Sequence, residues 1–334
     1  MVRYRNLKNM IKMSRFTGYR QHKIFNKVAG NRVFLCSIVS LFYCQLPTAL
    51  VYGRDQLPTA NFSLSILSWN IYMRPRKVFK DGQLKRAYAI VDHLKDKPYD
   101  IIVFQEAFDK KAKSILWNGL KESFPYRFGP GKGGLIKVNS GVWIISKLPL
   151  SNGQSIKFNK CKVGDCFAKK GAVFVEAYKN NQKFHIIGTH LQAEEGEKFQ
   201  KVRKKQYSDI NENLIHPLSE KNVPMFVVGD MNTAKSDTSG YNDMLKIMNV
   251  EDGILEGGVS GSYNIIKNDL KEKKSSARQD SEGQSVKIID YILFQPNGIQ
   301  PKSFTREVKI FQFPWDEKHK DLSDHYAVLA KIVF

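Results

Sequence analysis

Short apolar segments alternate with amphipathic stretches from residue 62 to the C-terminus. Segments rich in Ile, Val and Phe predict strands, whereas apolar residues spaced three or four apart predict helices. The predicted strands are 63–70, 101–105, 141–146, 172–178, 183–190, 225–229, 286–294 and 325–333. The predicted helices are 83–96, 110–124, 197–218 and 240–248.

The order of these elements predicts two mixed sheets. Some strands follow one another without a helix between them, as 172–178 and 183–190 do. Such neighbours pair antiparallel, whereas strands separated by a helix can pair in parallel. We therefore expect 54–334 to form one α/β (α+β) domain, a four-layer α/β/β/α sandwich of two mixed β-sheets flanked by helices. The polar segment 268–284 is predicted to be a surface loop.

The first 53 residues have a different pattern. Nine basic and no acidic residues precede the apolar run 33–52. A basic flank followed by an apolar segment is typical of a signal peptide, so we expect secretion with cleavage after Gly53. A retained membrane anchor is the alternative, since about 20 apolar residues can span a bilayer. Gln45 and Pro47 interrupt the apolar run and favour cleavage.

Charge and cysteine content fit an exported protein with an anionic partner. The chain has 53 basic and 32 acidic residues, and nine of the basic ones lie in the leader, so 54–334 carries 44 basic residues and a net charge of +12. A basic surface attracts nucleic acid or an anionic membrane without choosing between them. Cys161 and Cys166, the two cysteines beyond the leader, are expected to form a disulfide; two free thiols are the alternative.

Polar residues end or follow five of the apolar segments. Each could be a turn residue by itself, but five together predict one site at a sheet edge. Carboxylate and amide oxygens suit Mg²⁺, and imidazoles transfer protons near neutral pH. The combination predicts metal-assisted hydrolysis of a phosphoester. The residues are Asn70, Glu106, His190, Asp230 with Asn232, and Asp324 with His325.

These residues lie in motifs that resemble the endonuclease/exonuclease/phosphatase (deoxyribonuclease-like) superfamily. In chain order the motifs are Trp-Asn70, Phe-Gln-Glu106, Gly-Thr-His190-Leu-Gln-Ala, Gly-Asp230-Met-Asn232, Ile-Asp290-Tyr and Leu-Ser-Asp324-His325. Further segments resemble the neutral sphingomyelinases of that superfamily. They are Gly141-Val-Trp-Ile-Ile-Ser-Lys-Leu-Pro149, Phe167-Ala-Lys-Lys-Gly171, and Arg203 with Gln206 after His190.

The resemblance implies a secreted, Mg²⁺-dependent sphingomyelin phosphodiesterase of the phospholipase C type, which yields ceramide and phosphocholine. It implies Glu106 as the main metal ligand, with Asn70 beside it and Asp324 assisting. Mn²⁺ or Co²⁺ could substitute, because they accept the same ligands. The resemblance further implies His325 as general base, Asp230 and Asn232 as phosphate-holding residues, His190 as transition-state stabiliser and Asp290 as orienter of an imidazole.

The same resemblance implies membrane sphingomyelin as substrate and peripheral binding at the membrane surface. Phe311, Phe313 and Trp315 are candidates for membrane contact, although they could equally pack beneath a loop. Family members often carry an acidic residue where this chain has Asn139 and Ser140, which disfavours a second metal site there. We expect a monomer without a nucleic-acid partner.

Three other functions remain open from the sequence. A secreted Mg²⁺-dependent nuclease on the same fold would use the same site and the same basic surface. A phospholipase C or phosphatase for a related head group would differ only in scattered loop residues. A non-catalytic membrane-binding or host-interaction protein should have lost site residues, whereas the main ones are all present.

Overall fold

The computed structural model describes residues 62–130, 139–271 and 286–334. The predicted leader 1–53, with its apolar run and its cleavage point, lies outside the described residues. Most of the predicted surface loop 268–284 also lies outside them. In the described part of the chain, every helix is too short or too polar to cross a membrane.

Fifteen strands are present in the described residues. In chain order they are β1 Ser63–Met73, β2 Ile101–Ala107, β3 Tyr126–Phe128, β4 Trp143–Ser146, β5 Leu150–Lys157, β6 Gly171–Lys179, β7 Gln182–His190, β8 Met225–Asp230, β9 Glu251–Asp252, β10 Ile254–Glu256, β11 Tyr263–Asn264, β12 Val286–Lys287, β13 Asp290–Gln295, β14 Ser303–Lys309 and β15 Ala327–Val333.

The helices of the described residues are α1 Gln83–Leu94, α2 Lys110–Leu120, α3 Glu197–Ile210, α4 His216–Leu218 and α5 Thr238–Met248. A π-helical turn, Asn211–Ile215, joins α3 to α4, so the predicted helix 197–218 is one helical segment with a local change of hydrogen bonding. A 3₁₀ turn, Val163–Phe167, precedes β6.

Thirteen of these strands form two mixed sheets, as predicted, and β11 and β12 pair antiparallel as a separate two-stranded ribbon. One has the order β10-β14-β15-β1-β2-β4-β3 and the other β5-β6-β7-β8-β13-β9. β1 pairs in parallel with β2 and antiparallel with β15. β7 pairs in parallel with β8, which pairs antiparallel with β13. Because β1 is parallel to β2 and β7 is parallel to β8, the carboxyl ends of each pair lie at the same edge of their sheet, and site residues can extend from these ends.

The alternation along β1 shows how the layers pack. Leu64 and Ile66 belong to an apolar cluster between the two sheets. Leu67 and Trp69 face the other way, into a cluster with α1 and α2. A third cluster packs α3 and α5 on the outer face of the second sheet. Because side chains alternate along a strand, each sheet buries both faces, and the predicted α/β/β/α sandwich is confirmed.

Several predicted boundaries differ from the structure. The predicted strand 286–294 is interrupted at Ile288 and Ile289, between β12 and β13. The predicted strand 325–333 starts only at Ala327, which leaves His325 in the preceding loop. β5 and β14 were not predicted, because they are largely polar strands in which exposed or half-exposed residues prevail.

Candidate active site

Three site residues lie side by side in the second sheet. His190 at the end of β7 pairs with Asp230 at the end of β8, which pairs with Asp290 at the start of β13. Gly229 permits this close pairing, because a Cβ at that position would lie 1.9 Å from the Thr189 carbonyl oxygen. The strand register thus forms a row of one imidazole and two carboxylates, all buried.

Asn70 connects this row to the first sheet. It pairs with Gln105 of β2 just before a register shift between Asn70 and Met73, and Glu106 follows Gln105 directly. The Asn70 amide Nδ2 donates to Asp230 Oδ2 at 3.0 Å and to Glu106 Oε1 at 3.3 Å. The two sheets therefore contribute adjacent carboxylates to one site.

Glu106 and Asn232 have left-handed backbone conformations, with φ of 55° and 50°. This conformation is uncommon for a glutamate and is often found at functional sites. Asn232 is held by its own N–H, which donates to Asp230 Oδ1 at 2.9 Å, and by its Nδ2, which donates to the Leu191 carbonyl at 3.1 Å. Both residues are half-buried; Asn232 contacts Asp230 directly, and Glu106 is linked to Asp230 through Asn70.

His325 enters the site from the loop before β15. Its Nδ1 lies 2.9 Å from Asp290 Oδ2, and its Nε2 lies 3.9 Å from Asp230 Oδ2. The loop is fixed by Trp69, whose Nε1 donates to the His325 carbonyl at 3.0 Å, and by Ser323, whose hydroxyl donates to the Asn70 carbonyl at 2.5 Å. Asp290 is thus within hydrogen-bond distance of the His325 ring, and its role as the residue that orients an imidazole stays a prediction.

The buried carboxylates raise one another's pKa. Burial, then the charge of Asp324, raises the pKa of Glu106. Burial and the neighbouring Asp290 raise the pKa of Asp230 to about 7. For His325, burial alone would lower the pKa, but Asp290 and Asp230 outweigh it and raise the pKa to about 10. The site therefore concentrates negative charge that favours a cation.

His190 has the opposite electrostatic environment. Burial, followed by the positive charges of Lys170 and His325, holds its pKa well below the ordinary value. Lys170 Nζ lies 3.0 Å from His190 Nε2 and donates to the Leu191 carbonyl at 2.7 Å. The imidazole of His190 is therefore neutral at pH 7 and has an ammonium group beside it.

Lys170 was not predicted as a site residue. Its ammonium pairs with Asp165 Oδ1 at 2.8 Å, and Asp165 lies in the loop closed by the predicted Cys161–Cys166 disulfide, which is present. The only sequence signal was the segment Phe167-Ala-Lys-Lys-Gly171, which does not by itself indicate which lysine turns inward.

Asp324 is buried and forms an ion pair with Lys271. Its Oδ2 lies 2.6 Å from Lys271 Nζ, and although burial raises its pKa, Lys271 and then His325 lower it. Arg86 is buried behind this region and donates to the Ile71, Tyr72 and Leu322 carbonyls. Lys271 and Arg86 were also not predicted, because no motif surrounds either of them.

The segment after His190 is fixed by the two residues predicted on α3. Gln206 Oε1 accepts from the Gln192 N–H at 2.9 Å. Arg203 donates to the carbonyls of Gln192 and Glu194 at 3.1 and 2.7 Å. These bonds hold the end of β7, and with it His190, in position.

The three aromatic candidates for membrane contact have different environments. Phe311 packs on Trp69 with ring centroids 4.9 Å apart. Trp315 stacks on His319 and donates to the Asp321 carbonyl at 2.9 Å. Phe313 is 54% exposed. Membrane contact stays a prediction for all three, and Phe313 presents most of its surface to solvent.

The residues at the site fit a divalent cation. Asp290 Oδ1 and Asp324 Oδ1 are buried and lack a hydrogen-bond partner among the described residues. Asn70 Oδ1 accepts one bond, from the Tyr72 N–H at 3.2 Å, and has a second lone pair available. Asp230, Asp290 and His325 also offer ligand atoms within 4.8 Å of one another, but His325 and Asp290 are already bonded together. Glu106 and Asn70 therefore remain the better ligand pair.

Comparison with known proteins gives consistent results. The model of the Endonuclease/Exonuclease/phosphatase family matches residues 67–325. Phospholipase C of Staphylococcus aureus is 29% identical over 80% of this chain and 86% of its own length. Sphingomyelinase C of Listeria ivanovii is 28% identical over 92% of this chain and 96% of its own length.

A solved structure of a beta toxin double mutant from Staphylococcus aureus, with bound magnesium ions, superposes with a TM-score of 0.71. It is 26% identical and covers 80% of this chain and 99% of its own. These matches confirm the predicted family and the predicted class of enzyme, a phosphoric diester hydrolase. The roles of the individual site residues stay predictions.

Proposed function

Because the chain belongs to the Endonuclease/Exonuclease/phosphatase family, we propose that it hydrolyses sphingomyelin to ceramide and phosphocholine with a bound Mg²⁺ ion. The observation that carries the proposal is the row of His190, Asp230 and Asp290, with His325 oriented beside it and Glu106 opposite. The names of the Staphylococcus and Listeria relatives support this substrate.

Glu106 and Asn70 would hold the Mg²⁺ ion, with Asp324 assisting. An ion held there would supply positive charge that polarises the phosphate and lowers the pKa of His325. Asn70 also keeps the Glu106 and Asp230 carboxylates adjacent through its amide.

His325 acts as the general base. Its Nδ1–H donates to Asp290, so the Nε2 lone pair is free to accept a proton from water. The water oxygen attacks phosphorus while the bond from phosphorus to the ceramide oxygen breaks. Asp290 stabilises the imidazolium that forms, because it is buried and directly bonded to the ring.

Asp230 and Asn232 position the phosphate and the water. The Asp230 carboxylate contacts Asn70, Asn232 and both imidazoles, so it fixes their relative placement. The Lys170 ammonium contributes positive charge, and the neutral His190 ring beside it, with 3.0 Å between Lys170 Nζ and His190 Nε2, contributes a donor toward the oxygens on phosphorus.

Export and membrane-surface binding are part of the proposal. The basic and apolar leader supports secretion through a signal peptide, and the disulfide Cys161–Cys166 is compatible with an oxidising compartment. The exposed Phe313 and the net charge of +12 over 54–334 support peripheral contact with an anionic membrane surface. The enzyme would act as a monomer, without a nucleic-acid partner.

The test is phosphocholine release from sphingomyelin liposomes in Mg²⁺ and in EDTA, beside phosphatidylcholine liposomes and supercoiled plasmid. We expect Mg²⁺-dependent release from sphingomyelin and no plasmid nicking. Release from phosphatidylcholine alone would reassign the head group. Nicking without lipid hydrolysis would make the chain a nuclease, an alternative that the basic charge keeps open.

A further inference from the structure

A second cluster of metal-ligand residues lies away from the candidate active site. It consists of Glu176 on β6, His185 on β7 and Glu220 after α4, whose ligand atoms lie within 4.8 Å of one another. Glu176 and His185 are direct partners across the β6–β7 hairpin. His185 precedes His190 by five residues on one strand, so their Cα atoms are about 16 Å apart.

His185 is a buried imidazole whose ring nitrogens lack a hydrogen bond of good geometry. Its side chain has no exposed surface, and neither ring nitrogen has a hydrogen-bond partner among the described residues. Nε2 lies 3.5 Å from Glu220 Oε1, and the ring packs edge-on against Phe174. Leaving a buried polar group poorly paired is costly, so an imidazole beside two carboxylates has a ring nitrogen to offer to a ligand.

Glu176 is oriented by three donors. Ser151 Oγ, Asn152 Nδ2 and Tyr178 Oη donate to the carboxylate at 3.1, 2.8 and 2.9 Å. All three bonds end on Oε2, so Oε1 is the oxygen that a ligand would use. Donors of this kind are found behind metal-binding carboxylates, where they fix the orientation of the ligand.

Glu220 makes the cluster accessible from solvent. Its side chain is 47% exposed, and with Glu176 it lines a cavity of about 430 Å³ that also contains Asn152 and Gln154. Water could therefore complete the coordination shell of an ion. Lys183 Nζ donates to both oxygens of Glu220, to Oε1 at 2.6 Å and to Oε2 at 2.5 Å, and is the group that an incoming cation would displace.

We propose that Glu176, His185 and Glu220 bind a Zn²⁺ ion that joins the β6–β7 hairpin to the segment before β8. One imidazole nitrogen with two carboxylate oxygens suits Zn²⁺, whereas Mg²⁺ prefers oxygen ligands alone. Ligand atoms that lie about 2.1 Å from one tetrahedral ion are about 3.4 Å apart. Side-chain rotations that move each ligand atom by about an ångström would therefore bring the three ligand atoms to this spacing. The ion crosslinks two segments and so stabilises the fold.

The test is Zn²⁺ binding to the full chain without a histidine tag, in excess Mg²⁺ so that the active site is occupied. Zn²⁺ affinity is measured by competition with a chromophoric chelator, and stability by thermal unfolding. Glu220→Gln is compared with Glu212→Gln, an exposed glutamate on the adjacent π-helical turn and outside the cluster. Glu106→Gln removes the active-site ligand.

We expect the wild type, Glu212→Gln and Glu106→Gln to bind one Zn²⁺ ion under these conditions and to unfold at a higher temperature with it. Glu220→Gln should bind at least about tenfold more weakly and lose the thermal shift. Glu220 is exposed, so this variant should fold. Equal binding by Glu220→Gln and Glu212→Gln, or loss of binding in Glu106→Gln, would overturn the proposal. The test does not depend on the proposed activity.

Discussion

Burial and neighbouring charges determine the pKa values of the active-site residues. Asp230, Asp290 and Asp324 are almost completely buried, and the half-buried Glu106 is bonded to Asn70 beside Asp230. A cluster of carboxylates in low dielectric is unstable without compensating charge, which explains the raised pKa values of Glu106 and Asp230. The same charges raise the pKa of His325, so Asp290 is the residue through which its basicity can be tuned.

Glu106→Gln should reduce sphingomyelin turnover by about 10² or more, because it removes the charge that holds Mg²⁺ and adds no bulk. Turnover is measured across a Mg²⁺ titration, with thermal unfolding as a check of folding. Glu122→Gln, an exposed glutamate just after α2, is the control and should remain active. Wild-type turnover by Glu106→Gln at low Mg²⁺ would refute the metal-ligand role.

Asp290→Asn should move the acidic limb of the pH dependence of kcat/KM to lower pH. His325 must be neutral to act as base, so activity is present above its pKa and lost as pH falls through that value. Asp290 raises this pKa, and removing its charge should lower it by about 1 to 3 units, with a reduced maximal rate. An acidic limb that does not move would mean that His325 is not the base.

At the level of single elements, α2 starts immediately after the Glu106 strand and depends on a capping residue. Asp109 accepts from the N–H groups of Lys111 and Ala112 at 3.1 and 2.9 Å and pairs with Arg76 at 2.8 Å. Burial raises the pKa of Asp109, but the Ala112 N–H and Arg76 outweigh it and hold that pKa below its usual value.

Asp109→Ala should lower the free energy of unfolding by about 1 kcal/mol at pH 7. The Asp109 pKa is depressed on folding, so its stabilisation exists above the unfolded pKa of about 4 and is lost as pH falls through the lower folded value. Urea unfolding at pH 7 and pH 3 measures both effects. Asp92→Ala, at an exposed pair on α1, should change stability by less than about 0.5 kcal/mol. An equal loss from both variants would exclude a specific cap.

At the scale of the whole molecule, the site lies where the two sheets meet. Asn70 joins a carboxylate from each sheet, and the loop of His325 is bonded back to β1. A cation bound there would neutralise charge contributed by both sheets, so metal binding should be coupled to the stability of the fold.

Mg²⁺ should raise the unfolding temperature, and more at pH 8 than at pH 5.5. The pKa of Asp230 is raised to about 7 in the folded protein, whereas in the unfolded chain it is about 4. The metal-free fold therefore loses stability as pH rises from about 4 to about 7, because folding then keeps a buried negative charge. At a free Mg²⁺ concentration of 100 times the Kd, binding raises the free energy of unfolding by about 2.7 kcal/mol, which corresponds to a rise in the unfolding temperature of about 5 °C or more. Scanning calorimetry checks this, and Glu106→Gln should lose the shift. An equal shift in that variant would place the stabilising ion elsewhere.

The sequence by itself determined most of the elements and the residues that line the site. The apolar residues of 63–70 predicted the strand β1, and the polar residues after the strands predicted that Asn70, Glu106, His190 and Asp230 would lie in one site. These features are local, because hydrophobic period and strand ends can be read from neighbouring residues. The edge strand β5 was missed because its polar residues lack that pattern.

Only the tertiary structure decided which charged groups touch. Lys170, just before β6, contacts His190 at the end of the neighbouring strand β7, and Lys271 reaches Asp324 from 53 positions away in the chain. The unpaired imidazole of His185 likewise became visible only when β6, β7 and the segment before β8 were brought together. Burial and pairing of charges depend on contacts between distant segments, and no local pattern of residue types specifies those contacts.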